Sequence, residues 1–215
     1  MPELPVLSSP LIVASDPLRL IVVRHGETAL TGHVYNGCGA GAADPPLTES
    51  GRQRVRELGL PSITGPVGVA TSPALRARQT CEELVAGRSI DVVDVHVVDA
   101  LAEVDFGDWE GRTAAEVNSE DSDRWRGWLN DPAVAPPHGS SLAVRDASVR
   151  GYLDQLQQSN RRTWLLVGHA STVRLVVARV LDLPLVNVQR VGVGPGGWCD
   201  VRVWADGGAS LDRLG

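Results

Sequence analysis

Arg24 and His25 stand together at the end of an apolar run, LIVVRHGET over residues 20–28. Two further runs end the same way. Residues 67–70 lead into TSPALRARQT over 71–80, which carries Arg76, and LLVGHA over 165–170 ends in Gly168 and His169. Two arginines and two histidines brought to one place would make a strongly positive pocket, and phosphate is the anion that such side chains hold best. Phosphoryl transfer needs a nucleophile or a positioned water, positive charge on the equatorial oxygens, and a proton for the leaving oxygen. A histidine serves as the nucleophile when one ring nitrogen is free and a partner on the other fixes the tautomer. His25 beside Arg24, with Gly26 leaving room for an anion, suits that part, and Arg76 and His169 each stand near the start of a helix. The acid would come from LAEVDFGDWEG over 101–111, which offers Glu103, Asp105, Asp108 and Glu110. A carboxyl beside bound phosphate is pushed toward its protonated form, as a general acid requires.

The elements that would position these residues alternate. Strands are expected at 19–23, 67–71, 90–98, 164–167 and 198–204. The last of these is read with Trp198, Asp200, Arg202 and Trp204 outward, at a sheet edge. Helices are expected from Thr48 as N-cap, from Pro73 to about Val85, over 141–158 from the spacing of Val149, Tyr152, Leu153 and Leu156, and from Ser171 to the Leu183–Pro184 stop. Strand–helix alternation implies a mostly parallel sheet covered on both faces. Ligands then bind outside the carboxyl ends of the strands. Two stretches read as irregular, Ala29–Pro46 with its glycines and Phe106–Pro137 with Trp109, Trp125 and Trp128. Both are expected to form binding loops or a lid.

The motifs RHGET, SPALRARQT, LAEVDFGDWEG and VGHA, in this order, resemble those of the histidine phosphatase superfamily over about residues 18–183. The resemblance implies a three-layer α/β/α sandwich of the phosphoglycerate mutase-like kind, with no metal and no cofactor. It implies His25 as the residue phosphorylated on a ring nitrogen and Glu103 as proton donor. Arg24, Arg76 and His169 then form the phosphate pocket, and Thr31 and Ala170 add to the substrate-binding wall. EVDFGDWEG and DPPLTESG resemble the small phosphatase branch that includes α-ribazole phosphatases. Two positions depart from the family pattern: Thr31 where many members have Asn, and Ser140 where many have Glu. The activity implied is a phosphomonoesterase acting on a small phosphorylated metabolite. A phosphoglycerate mutase-type transferase and a non-catalytic phosphate-binding protein are the alternatives.

Plainer roles are expected for other residues. Arg78 should make a surface pair, His96 should be structural, and His33 and His138 should lie at the surface. Asp105, Asp108 and Glu110 should be structural or solvated. Trp125 and Trp128, at i and i+3, should pack, with lining of the pocket mouth as the alternative.

Composition bounds the rest. The chain has 215 residues, 43% of them hydrophobic, enough for one domain with a proper core. Residues 18–215 are read as that domain with a lid-like insertion near 106–137, and residues 1–17 as a flexible extension. The net charge of −6, with positive charge carried by arginine and no basic run, gives no support to nucleic-acid or anionic-membrane partners. Three cysteines without CxxC pairing fit a reducing cytoplasm, and no apolar stretch has the length of a membrane span. Oligomeric state is left open, with a homodimer as one alternative.

Overall fold

The structure, a computed structural model, describes residues 16–215. All but the last two residues of the expected N-terminal extension lie outside the described residues. The chain runs through β1 (Leu18–Arg24), α1 (Glu49–Arg56), β2 (Pro66–Thr71), α2 (Leu75–Ala86) and β3 (Asp91–Val97). It continues through α3 (Ala114–Glu120), α4 (Ser122–Asn130), α5 (Leu142–Gln158), β4 (Thr163–Gly168), α6 (Ala170–Val180), β5 (Trp198–Val203) and β6 (Ala209–Leu214).

β1 reads LRLIVVR and is buried along most of its length. Successive strand side chains point to opposite faces, so β1 feeds two cores. Leu18, Leu20 and Val22 pack with Val149, Leu153 and Leu156 of α5 and Val173, Val176 and Val177 of α6. Ile21 and Val23 pack with Val55 of α1 and Ala77, Cys81 and Leu84 of α2. Helices therefore cover both faces, and the three-layer sandwich follows. The strand order is β3-β2-β4-β1-β5-β6. β1, β2, β3 and β4 pair in parallel, while β5 runs antiparallel to both β1 and β6.

Register levels the strand ends that matter. Arg24 lies opposite Gly168, and Thr71 opposite Val167. From β1 the chain crosses to β2 on one side, and from β4 it crosses to β5 on the other. The crevice at their carboxyl ends is thus a topological switch point, where open α/β sheets bind ligands.

Several expectations are corrected. The stretch 106–137 is not irregular: it holds α3, with a Thr113–Glu116 capping box, and α4, capped by Asp121. Neither helix reaches ten residues, too short for a clear apolar period. α2 starts at Leu75 with Ala74 as N-cap, so Pro73 lies just outside it. β5 is interior because β6, unforeseen, covers its outer side. Asp200 and Trp198 point inward, and Asp200 is buried because Arg19 pairs both its oxygens, Nε at 3.0 Å and Nη2 at 2.8 Å. His96 stands on the edge strand β3, half exposed, beside Asp94 at 2.9 Å and the Trp164 ring at 5.9 Å, which agrees with a structural part. Arg78 is exposed and makes no ion pair among the described residues.

Candidate active site

His25 follows the last residue of β1. Its backbone N–H donates to Gly168 O at 2.9 Å and its carbonyl accepts from Gly196 N at 3.1 Å. Gly26 N–H donates to Thr80 Oγ1 of α2 at 3.0 Å. Three elements thus hold the turn. The ring Nδ1 lies 2.7 Å from Gly26 O. A carbonyl only accepts, so Nδ1 carries the hydrogen and Nε2 keeps its lone pair; His25 lines a cavity. Burial, then the charge of Arg76 and of Arg24, lowers the His25 pKa from 6.5 to about 3. The ring is neutral near pH 7, the state in which Nε2 is a nucleophile.

His169 N-caps α6 and is fully buried. Its ring centroid is 5.1 Å from that of His25, edge to face. Ser72 Oγ lies 2.8 Å from His169 Nε2, while Nδ1 meets no partner with hydrogen-bond geometry. Burial, then the nearby His25 and arginines, holds its pKa well below the ordinary value.

Arg24 and Arg76 reach the same cavity from β1 and α2. Arg24 Nη1 donates to Val193 O at 2.6 Å, and its Nε is buried without a partner. Arg76 is 2% exposed, and its Nη2 donates to Gly37 O at 3.0 Å and Asn36 O at 3.2 Å. Asp44 stands 3.5 Å from its Nη1. Burial lowers both guanidinium pKa values, and the Glu103 charge opposes this. Orphaned buried donors are uncommon in folded proteins; Arg24 Nε is one, and the charge of Arg76 acts on the same guanidinium.

Glu103 follows the short turn after β3. Its Oε1 accepts Val104 N–H at 2.9 Å, and Oε2 meets no partner among the described residues. Thr31 lines the cavity, but its hydroxyl oxygen is tied into its own turn, accepting Thr28 N–H at 3.0 Å and lying 2.9 Å from Thr28 Oγ1. Ala170 opens α6 and lines the cavity as well. All the residues named from the sequence therefore meet at one place, with His169 behind His25 rather than at the cavity wall.

The surroundings were not foreseen. Arg174, one turn after Ala170 on the same face of α6, is a third cavity arginine; the i, i+4 spacing was the available signal. Ser72 sat inside a named motif but gave no sign of its partner. Glu110 takes Gly37 N–H on Oε2 at 2.8 Å, and Gly39 N–H and Phe106 N–H on Oε1 at 3.3 and 3.1 Å. It thereby binds the 29–46 loop to the turn bearing Glu103. Gly37 is required at this joint, since a Cβ there would lie 1.9 Å from Val104 O. Trp128 does both things considered for it. It stacks edge-on against Tyr35, Phe106 and Trp109, with centroids 5.7–5.8 Å apart, and it lines the cavity. Trp125 donates to Tyr35 OH at 2.8 Å. Cys38 lies in the loop beyond Arg76, its thiol pKa raised by burial. His138 is exposed beside Asp108 at 3.0 Å.

No helix among the described residues is long and apolar enough to cross a membrane. Comparison with known proteins agrees with the geometry. A bifunctional protein of Mycobacterium tuberculosis is 32% identical over 199 residues, covering 91% of this chain and 53% of that protein. The chain thus spans about half the length of that relative. The adenosylcobalamin/α-ribazole phosphatase of Salmonella typhimurium is 30% identical, covering 92% of this chain and 96% of that one. The crystal structure of the α-ribazole phosphatase from Shigella flexneri superimposes with a TM-score of 0.76 at 26% identity, covering 91% and 95% of the two chains. The model of the histidine phosphatase superfamily (branch 1) matches residues 20–215, and the chain belongs to that superfamily.

Proposed function

We propose that this chain is a phosphomonoesterase that hydrolyses a small phosphorylated metabolite through a phosphohistidine on His25, without a metal or cofactor. The observation that carries this reading is the His25 ring. Its Nδ1–H is held by Gly26 O, which leaves Nε2 with its lone pair, its pKa is far below neutrality, and the residue lines a cavity walled by arginine. A neutral, oriented imidazole beside guanidinium groups is the arrangement that in-line attack on a phosphoester requires.

In the first step His25 Nε2 attacks phosphorus and the ester P–O bond breaks. The proton of the Glu103 carboxyl passes to the departing oxygen. In the second step water attacks the phosphohistidine, the N–P bond breaks, and Glu103 takes the proton of the water. The sum is ester plus water giving alcohol plus phosphate. Arg24 and Arg76 hold the non-bridging oxygens from the cavity wall, the N-terminus of α6 at Ala170 adds its amide field, and His169 supports the His25 ring from behind. Thr31 borders the site as a wall, since its oxygen already accepts within its turn. The 106–137 segment and the 29–46 loop form the substrate rim, with Phe106 and Trp128 from the first and Tyr35 from the second. Hydrolysis is favoured over transfer because two relatives matched along nearly their whole length, those of Salmonella typhimurium and Shigella flexneri, are named phosphatases.

Acid-quenched labelling with a phosphate-labelled substrate tests the reading. The wild type should trap label in an acid-labile, base-stable linkage, with turnover unchanged by EDTA. His25→Ala should trap none and lose turnover. Label on that variant sinks the assignment.

A further inference from the structure

Arg174 is the cavity arginine that the reaction as written does not use. Its Nε donates to Val191 O at 2.9 Å and its Nη1 to Gln189 Oε1 at 3.0 Å. Its Nη2 meets no acceptor, and no carboxylate lies within ion-pairing range, among the described residues. A partly buried guanidinium held by two neutral acceptors, with its third nitrogen open to a cavity, is built to receive an anion.

Its place says which part of the substrate that anion belongs to. Ala170 and Arg174 share one face of α6, so Arg174 stands one helical turn, about 5.4 Å, farther from the helix N-terminus. Arg174 also lines a small recess shared with Glu103, Phe106 and Trp128, to which neither His25 nor His169 contributes. Glu103 acts on all three arginines, but Arg174 alone of them shares the recess with it. Glu103 serves the departing oxygen, so Arg174 stands with the leaving group rather than with the phosphoryl oxygens.

We propose that Arg174 selects phosphomonoesters whose alcohol portion carries a second anionic group, a carboxylate or a second phosphate, a few bonds from the ester. Size points the same way. The cavity is about 200 Å³ and the recess about 50 Å³. The recess takes only a few water-sized groups, so it suits one small anionic group on a short alcohol.

The inference rests on the phosphomonoesterase reading, and the test separates the two. Specificity constants are measured on 3-phosphoglycerate, glycerol 1,3-bisphosphate, glycerol 3-phosphate and p-nitrophenyl phosphate, for wild type and Arg174→Gln. The wild type should prefer at least one of the two acidic esters over glycerol 3-phosphate by tenfold or more, and the better of the two identifies carboxylate or phosphate. In Arg174→Gln that ratio should fall at least tenfold, mainly through KM. Arg174→Lys, which keeps the charge, should recover part of it and guards against a variant that merely unfolds the 185–193 segment. No preference in the wild type, or equal penalties on acidic and neutral esters, overturns the role of Arg174. No hydrolysis of any ester by the wild type overturns the phosphomonoesterase reading instead.

Discussion

One ring nitrogen of each histidine has a hydrogen-bond neighbour, and the two neighbours differ in kind. Gly26 O sets the His25 tautomer through the backbone, so no side-chain substitution removes it directly. His169 depends on a side chain, the fully buried Ser72 hydroxyl at 2.8 Å. Ser72→Ala should lower kcat/KM about tenfold, ~1.4 kcal/mol of transition-state stabilisation. It should also change the nitrogen NMR shifts that report the His169 tautomer, and Ser72→Thr should restore part of both. Unchanged shifts with lost activity would mean that Ser72 acts only through packing. Glu103 makes the second residue-scale prediction. Nitrophenolate leaves without a proton and an alkoxide does not, so Glu103→Gln should damage alkyl phosphate hydrolysis far more than aryl. Equal penalties would leave Glu103 a purely electrostatic part. The identities of His25, Arg24, Arg76, Glu103 and His169 were legible in the sequence because each sits in a short motif tied to a strand or helix end. Arg174 and Ser72 were not, because their importance lies in partners about 15 and 97 positions away.

At the scale of elements, the site is a joint between two loops more than a property of either. Glu110 accepts three N–H groups, two from the 29–46 loop and one from the Glu103 turn. That loop in turn offers the Asn36 and Gly37 carbonyls to Arg76. Glu110→Gln leaves one accepting oxygen where there were two. Hydrogen bonds to a charged group contribute about 1.5–3 kcal/mol each. A loss near 2 kcal/mol is expected, read as a lower urea midpoint at constant slope, together with a raised KM. A variant with the wild-type midpoint and KM would show that the loop is held elsewhere. The aromatic group around Tyr35 is the second tie, with Trp125 bonded to its hydroxyl and Trp128 packed on its ring.

At the scale of the whole molecule, burying two histidines under arginine has a cost that depends on pH. Between pH 3 and 6.5 the unfolded chain holds a proton on His25 that the folded chain does not. Stability therefore rises with pH across that window and is lost as pH falls through it. His169 adds in the same direction. For His25 alone the slope approaches about 1.4 kcal/mol per pH unit at full effect, or roughly 3–6 °C of Tm in a chain of this size. Melting curves of the ligand-free protein from pH 7 to 5 should show the fall, and His25→Asn should make it shallower. A Tm flat over that range would mean that the rings are hydrated in the folded state.

The chain by itself determined the parts that are local. Apolar runs ending in Arg24, Thr71 and Gly168 specify buried parallel strands, and helix caps such as Thr48 and Ser141 lie where their side chains accept the first-turn N–H groups. Residues 106–137 escaped because two helices under ten residues carry too little period to be read. β6 escaped because an exposed, mixed-polarity strand has no pattern without its neighbour. Only tertiary structure decided the rest. Register sets Arg24 against Gly168, which brings the histidine rings within 5.1 Å. Burial then removes their protons, Asp200 becomes interior through Arg19, and α6 swings Arg174 into the cavity. Each of these depends on which surfaces exclude water together, and a one-dimensional string does not contain that.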